Sequence, residues 1–213
     1  MKNKFFYIIC FALSFFTFQS LNSNEIFNFN VSEIEITEDG NLFKGKKGGE
    51  AYTNDGISIK AKNFEYNQSL LYLQATDGVE YKDEKKNTII KADQISYFKN
   101  EEKIFARGNV LILEKDKNLE IKADDVSVFK VDETITADGN VNYRDKINEI
   151  EIKTDKITYL QKIDKIFTEG ETYAEIQSKY KFNSNDVIFL KRDMKLSSSK
   201  KVGIRPSCND FLV

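Results

Sequence analysis

The strongest constraint in this chain is a phrase that recurs at a fixed spacing of 31 residues. Residues 90–98 read IKADQISYF and residues 121–129 read IKADDVSVF. Related stretches begin at Ile59 and Ile152, each again 31 residues from its neighbour. Internal repeats with a period of about 20–50 residues indicate that one small structural unit is stacked many times. A fold for this chain must therefore place the same residues in the same environment in successive units.

A second phrase lies between the copies of the first. It is clearest in ITADGNVNY (residues 135–143), recurs 31 and 62 residues earlier, and has a weaker copy 31 residues later. Its apolar residues occupy every second position, which is the pattern of a strand with one buried face. In the first phrase the alternation changes between Ala123 and Val126. One face can stay apolar there only if a bulge or corner intervenes at Asp124 and Asp125.

Polar stretches such as residues 99–103 and 114–118 separate the phrases, so each repeat is predicted to be two strands joined by short turns. The chain has 17 Phe, 10 Tyr and a single proline, Pro206, and shows no sustained helical periodicity after its first residues. The fold class is therefore all-β. The one-sided apolar face can be buried in a jelly roll, a sandwich, a barrel or a β-solenoid.

Two interpretations of that apolar face stay open on periodicity alone. The facing sheets either pack together as a plain core or remain apart as an apolar groove suited to acyl chains. Small residues on the inward positions leave room for a groove, but they also let strands pack closely. These residues are Ala92, Ala106, Gly108, Ala123, Ala137 and Gly139.

Composition excludes several classes of function. The chain has no histidine, which excludes histidine bases, histidine triads and histidine-ligated metals. Its two cysteines are Cys10 and Cys208, so a chain without its leader holds one thiol and no internal disulfide. The formal net charge is −2 and no basic stripe is present, so we expect no nucleic-acid partner. We also expect no catalytic site, no cofactor and no metal.

The first residues predict an export signal. Lys2 and Lys4 precede an apolar run from Phe5 to Phe18, with small and polar residues after it. A membrane-spanning helix needs roughly 20 apolar residues, so this run is short for a retained anchor, although that alternative stays open. The predicted organisation is a signal peptide at residues 1–23, a repeat domain at 24–199 and an irregular tail at 200–213. That tail is either native or the product of a truncation or altered reading frame.

The two phrases resemble the OstA-like repeat of the lipopolysaccharide transport and assembly (Lpt) family. The resemblance rests on I-K-A-D-x-[IV]-x-[YV] at residues 90–97 and I-x-A-x-G-N-V at residues 104–110, and it extends from about Phe29 to Ser199. It implies an antiparallel β-jelly roll of about 31-residue, two-strand repeats. Such a domain shelters the acyl chains of lipid A and docks edge to edge with other jelly rolls of the transport bridge.

Within the family, residues 186–198 resemble the final strands of the periplasmic N-terminal domain of the outer-membrane assembly protein. That member carries a C-terminal barrel, which this sequence lacks, and a free-standing bridge protein is the next interpretation. The resemblance implies a periplasmic location, associated with the outer membrane. The partners it implies are lipopolysaccharide and other jelly-roll components of the bridge.

Shared parity and the central cavity implied by the family predict which residues face lipid. They are Ile95, Tyr97, Ile104, Ala106, Val110, Val126, Val128, Ile135, Ala137, Val141, Tyr143, Ile157 and Tyr159. The outlying repeat copies predict docking edges near Phe29 and Val31 at one end and near Val187 and Phe189 at the other.

Sharper alternatives rest on charged residues. The carboxylates of Asp77, Asp124 and Asp125 suggest a glycosidase pair, but aspartates at polar turns are usually only solvated. Asp93, Asp124 and Asp155 recur at the repeat period and form either a divalent-cation site or an exposed acidic edge. A lysine follows each leading isoleucine and either meets lipid phosphates or pairs with acids in a surface ladder. A structural or adhesive exported β-repeat protein with a filled core is the alternative to lipid transport.

Overall fold

The computed structural model describes residues 27–198 and the backbone of residues 203–206. The predicted signal peptide and Cys208 lie outside these ranges. In the described residues the chain forms sixteen β-strands and four single turns of 3-10 helix, at Glu38–Gly40, Lys99–Glu101, Lys115–Lys117 and Gln161–Ile163. The strands are β1 (Asn28–Thr37), β2 (Leu42–Tyr52), β3 (Ile57–Ala61), β4 (Asn63–Asn67), β5 (Tyr72–Asp83), β6 (Thr88–Phe98), β7 (Lys103–Glu114), β8 (Leu119–Phe129), β9 (Thr134–Asp145), β10 (Ile150–Leu160), β11 (Lys165–Glu169), β12 (Glu171–Ile176), β13 (Tyr180–Asn185), β14 (Val187–Leu190), β15 (Lys195–Ser198) and β16 (Gly203–Pro206).

These strands pair antiparallel in chain order, and the sheet bends along one line. In the pairing of β5 with β6 the register shifts between Thr76 and Val79, where two residues of β5 lie opposite one of β6, and the next pairs shift at the equivalent place. β3 and β4 are likewise parts of one path interrupted at Lys62, as are β11 and β12 at Gly170. Bulges bend a strand and change the face its side chains point to. We call this line of bulges the corner.

The corner divides the sheet into two layers. β4, β11, β14 and β15 lie in the first layer, together with the segments of the long strands that end at the turns at residues 99–102, 130–133 and 161–164. β3, β12, β13 and β16 lie in the second layer, with the opposite segments of those strands. One hydrophobic core lies between the two layers. The architecture confirms the predicted all-β, jelly-roll-like fold of two-strand repeats.

Each of the two sequence phrases forms a strand that passes through the corner, and the two strands do so with different backbone geometry. In β8, Ile121 and Ala123 are buried before it and Val126 after it, so the inward parity changes there as the sequence predicted. In β9 an extra residue at the corner preserves the parity, and Ala137 and Val141 are both buried. Each phrase therefore crosses both layers.

Two of the small residues expected inside the fold lie at the corner instead. Gly108 and Gly139 have φ angles of +75° and +76°, where residues with a side chain are strained. Ala92 and Ala123 are buried beside the corner, where the two layers come closest because the same strands belong to both. The small residues thus fit the bend of the sheet rather than widening its interior.

The segment after residue 199 is not wholly irregular, which corrects the predicted tail. Residues 203–206 form β16, which pairs with β13 through residues 180–183. Pro206 ends this strand, and an edge strand tolerates proline because one side of it needs no ladder hydrogen bonds. In the part of the chain that the structure describes, no helix is long and apolar enough to cross a membrane.

Candidate functional site

The predicted lipid-facing residues all lie between the two layers. Twelve of the thirteen are at most 3% exposed, and Val128 is partly buried against the same core. They come from the five consecutive strands β6 to β10, so one apolar surface continues through the middle repeats. Whether this surface meets lipid stays a prediction.

The interior is closely packed in this conformation. A cavity of about 30 Å³ lies between the layers, lined in part by Ile90, Ile104, Ile112, Val128 and Ile135. A volume of this size has room for about two water molecules, so it cannot hold an acyl chain. Lipid could enter only if the two layers separated.

The side of the molecule opposite the corner is where separation would occur, and we call it the mouth. Here the turns of the first layer face the turns of the second layer. The second-layer turns are at residues 53–56, 84–87, 115–118 and 146–149. No described strand continues across the mouth from one layer to the other. Among residues 27–198, the contacts that we find across the mouth are made by side chains.

The Lys130 ammonium group shows how this closure works. Its Nζ lies 3.0 Å from Asp83 Oδ2 on the second layer and 2.9 Å from Glu102 Oε2 on the first. It also donates to the Tyr81 hydroxyl at 3.5 Å and lies 5.8 Å from the centre of the Tyr97 ring. The side chains of Lys130 and Asp83 are only 11% and 7% exposed. Removing one member of such a pair would leave a poorly solvated charge, which is costly.

Equivalent cross-layer pairs recur along the mouth, and we call the row the clasp. Each joins a second-layer carboxylate to a first-layer donor 44 to 47 residues later. The members are Asp55–Lys99 (3.4 Å), Asp83–Lys130 (3.0 Å), Glu114–Gln161 (2.7 Å) and Asp145–Lys191 (2.7 Å).

Charges in the clasp stabilise one another. Burial lowers the pKa of Lys130, but the carboxylates of Glu102 and Asp83 outweigh it and hold the pKa above its usual value. Burial raises the pKa of Asp145, but hydrogen bonds from Lys191 and Asn148 outweigh it, so its pKa lies below the usual value. Both groups therefore remain charged at neutral pH.

The tyrosines beneath the clasp stay neutral. Burial is the main cause that raises the pKa values of Tyr81 and Tyr97, with nearby charges adding to it. Their rings meet edge to face across the layers, with centroids 5.9 Å apart. Tyr143 and Tyr159 repeat this arrangement at 5.8 Å, and Lys191 lies 5.0 Å from the centre of the Tyr159 ring.

The aspartates considered for catalysis or cation binding belong to the corner. The side-chain amide of Asn109 donates to Asp93 at 2.9 Å, that of Asn140 to Asp124 at 2.7 Å, and that of Asn63 to Asp77 at 2.6 Å. These bonds tie each strand to the next at the bend. Within residues 27–198, no cluster of three or more His, Cys, Asp or Glu is placed to hold a metal ion.

The lysines that follow the leading isoleucines form the expected surface ladder. Lys91 pairs with Glu80 at 3.1 Å, Lys122 with Glu120 at 3.2 Å, and Lys153 with Glu151 at 3.3 Å. These lysines lie on the outside of the second layer and are about half exposed. They are separate from the mouth.

The predicted docking edges are corrected at one end. Phe29 and Val31 lie on β1, which pairs only with β2 among the described strands. Val187 and Phe189 lie on β14, which pairs with β11 on one side and β15 on the other. Both side chains point between the layers and are buried, and their strand is interior to the first layer. At this end the described edges are β15 in the first layer and β16 in the second.

The clasp was not among the predicted site residues. A signal for it is present in the sequence, because Asp83, Glu114 and Asp145 recur every 31 residues, as do Lys99, Lys130 and Gln161. That these two rows face each other follows only from the closing of the layers.

Comparisons with known proteins find a likeness in structure and none in sequence. No family model matches the chain, and no curated protein matches it. A crystal structure of LptH, the LptA-homologous periplasmic component of the lipopolysaccharide transport device of Pseudomonas aeruginosa, matches with a TM-score of 0.49. The identity is 12%, and the match covers 58% of this chain and 96% of that chain. At this level the likeness does not bear on the function of the present chain.

Proposed function

We propose that this protein is a periplasmic lipopolysaccharide-binding and transport domain. Acyl chains of lipid A would lie between the two layers, with the sugars in water at the mouth. The observation that carries the proposal is the continuous apolar interior of β6 to β10, bounded along the mouth by side-chain contacts only. The resemblance of the repeat phrases to the OstA-like repeat supports the same function.

Docking to neighbouring jelly rolls would use the strands at the two ends of the sheet. β1 at one end and β15 at the other each pair with one neighbour only among the described strands. Strand addition to such an edge gives affinity through main-chain hydrogen bonds. The chain would thereby contribute to delivering lipopolysaccharide to the outer membrane.

A structural β-repeat protein is the second candidate, and the closely packed interior favours it. The cavity of about 30 Å³ and the burial of the inward residues describe a filled core in this conformation. A filled core stabilises a scaffold without any ligand. The two functions differ in whether lipid ever reaches the inward residues.

Photo-crosslinking in cells distinguishes these functions. A benzophenone side chain in place of Tyr97 points between the layers, and the same group in place of Phe98 points outward from the adjacent position. The two replacements are matched, since both native residues are aromatic and neighbours on β6. After irradiation, adducts are detected with an antibody against lipopolysaccharide.

Adducts at position 97 that are absent at position 98 support lipid transport. Equal adducts at both positions indicate general membrane proximity, and no adducts in a folded, exported protein favour the structural role. Either of these results contradicts the proposed function.

A further inference from the structure

The mouth is not uniform along its length, because the middle repeat has different residues at three positions that match in the repeats on either side. Three inward or mouth positions recur at or within one residue of the 31-residue period. The second-layer position is occupied by Tyr81, Ile112 and Tyr143, the first-layer position by Tyr97, Val128 and Tyr159, and the donor position by Lys130, Gln161 and Lys191. In the middle repeat, Ile112 and Val128 replace the two tyrosines and Gln161 replaces the lysine.

This replacement removes both kinds of contact that close the mouth elsewhere. On either side, an edge-to-face tyrosine pair spans the layers beneath a buried lysine. In the middle, the Gln161 amide donates a single hydrogen bond across the layers to Glu114 Oε1 at 2.7 Å, and Lys117 pairs with Glu114 Oε2 at 2.9 Å from the same second-layer turn. A hydrogen bond to a carboxylate from a neutral donor is weaker than one from an ammonium group. The clasp is therefore weakest at this point.

The cavity lies between that weak point and the adjacent Asp83–Lys130 clasp. Its lining includes Glu114 and Gln161 at the mouth and Ile112, Val128 and Ile135 below them. Two aliphatic side chains stand where two tyrosines stand in the neighbouring repeats, and this explains why space remains here. A void in a close-packed interior forfeits dispersion contacts, so filling it with an apolar group is favourable.

The surface around this position has the character of a lipid contact. Val131, Ile147 and Ile163 are 66%, 60% and 55% exposed on the surrounding turns. Exposed lysines and exposed acids both lie on these turns; the lysines are Lys115, Lys117, Lys146 and Lys162, and the acids include Asp116, Asp132, Glu133 and Glu149. The exposed apolar side chains match the acyl chain of an amphiphile, and the lysines can meet an anionic head group.

We propose that the Glu114–Gln161 position is the portal through which an acyl chain passes between the layers. The inference rests on the proposed function and adds the place and the chemical class of the first contact. The chain enters where the clasp has a neutral donor, and its methylene groups fill and widen the cavity between Ile112 and Val128. The flanking lysine and tyrosine clasps stay closed and limit the opening to the middle of the mouth.

Two variants close the portal by restoring the repeat. Gln161→Lys supplies the missing ammonium group opposite Glu114, and Val128→Tyr supplies a missing ring. Gln94→Lys adds the same charge at the corner, on the outward side of β6, and serves as the matched control. Thermal unfolding of each variant verifies that it is folded, and Gln161→Lys keeps the test valid if Val128→Tyr overpacks.

The probe is palmitate with a diazirine at the end of its chain, added to the purified protein and activated by light. Mass spectrometry is expected to place adducts on the residues lining the cavity. Gln161→Lys is expected to lower this labelling about tenfold, which corresponds to roughly one charge-assisted hydrogen bond. Val128→Tyr should lower it similarly, and Gln94→Lys should leave it unchanged.

The portal proposal is wrong if palmitate labels residues outside the cavity lining, or if Gln161→Lys does not reduce the labelling. If lipopolysaccharide adducts still form at position 97 in cells, the portal alone is wrong and the proposed transport function stands. If neither palmitate labelling nor cellular adducts occur, both the portal and the proposed function are wrong.

Discussion

Gly139 is coupled to Asp124 on the adjacent strand, and this contact explains why the two sequence phrases recur together. A Cβ atom at Gly139 would lie 2.4 Å from Asp124 Oδ2, while the next residue, Asn140, donates to that oxygen at 2.7 Å. The glycine makes room for the carboxylate and the asparagine binds it. Gly108, Asn109 and Asp93 repeat the arrangement one unit earlier.

Replacing Gly139 with alanine should destabilise the protein by more than backbone strain alone. Gly78 provides the control because its φ of +74° is nearly the same, yet a Cβ there would meet nothing within 4 Å. We expect about 1 kcal/mol for Gly78→Ala and a further 1–3 kcal/mol for Gly139→Ala, measured by urea unfolding. Asp124→Ala in the Gly139→Ala background should recover most of the difference. Equal losses of unfolding free energy in Gly78→Ala and Gly139→Ala would show that the contact with Asp124 does not affect stability.

The Asp145–Lys191 pair makes stability depend on pH in a definite direction. The folded pKa of Asp145 lies below its unfolded value of about 3.9, so its contribution is complete above that value and is lost as the pH falls through the folded pKa. Asp145→Asn should cost about 3 kcal/mol near pH 7, because Lys191 loses its buried partner.

That cost should shrink between about pH 4 and pH 2, since wild-type Asp145 becomes neutral there as well. The difference in unfolding free energy between the two proteins cancels the titration of the other acids. A difference that is constant from pH 7 to pH 2 would contradict the role assigned to the pair.

At the scale of the strand, inward and outward positions alternate so strictly that adjacent residues make matched tests. Ala137 is fully buried between the layers and Thr136 faces outward on the same strand, β9. Ala137→Leu should overpack the region beside the corner and cost about 1–3 kcal/mol, whereas Thr136→Leu should change stability by less than about 0.5 kcal/mol. Urea unfolding of both variants measures this. Similar costs at both positions would show that the interior has spare room beside the corner.

Sequence patterns predicted much of the strand architecture. The change of parity between Ala123 and Val126 predicted the corner, and the 31-residue period predicted two strands in each repeat. These features are local, because alternation and turn residues determine them within a few positions.

Contacts across the layers could not be predicted in the same way. The partners of the clasp are 44 to 47 residues apart, and their pairing depends on how far the sheet bends. The docking edge near Val187 was wrong for a related reason. A second strand, β15, follows β14 and covers it, so a residue in an outlying repeat copy need not lie at an outlying edge.

At the scale of the whole molecule, the corner and the mouth have different strengths. Continuous strands join the two layers at the corner, whereas a few buried polar pairs join them at the mouth. Opening at the mouth would break side-chain contacts and leave the ladders within each layer intact. The fold is therefore suited to separation of its layers about the corner when an apolar ligand supplies the lost contacts.

The central claim is that the interior accepts acyl chains, and the most direct test is thermal unfolding of the purified protein with lipopolysaccharide. A ligand that binds the folded state at a hundredfold excess over its Kd stabilises it by about 2.7 kcal/mol. For a chain of this size that corresponds to a rise in Tm of roughly 5–10 °C. Deacylated lipopolysaccharide, which keeps the sugars and loses the chains, is the control. We predict a rise with the intact lipid and none with the deacylated one; no rise with either, or the same rise with both, would contradict the account.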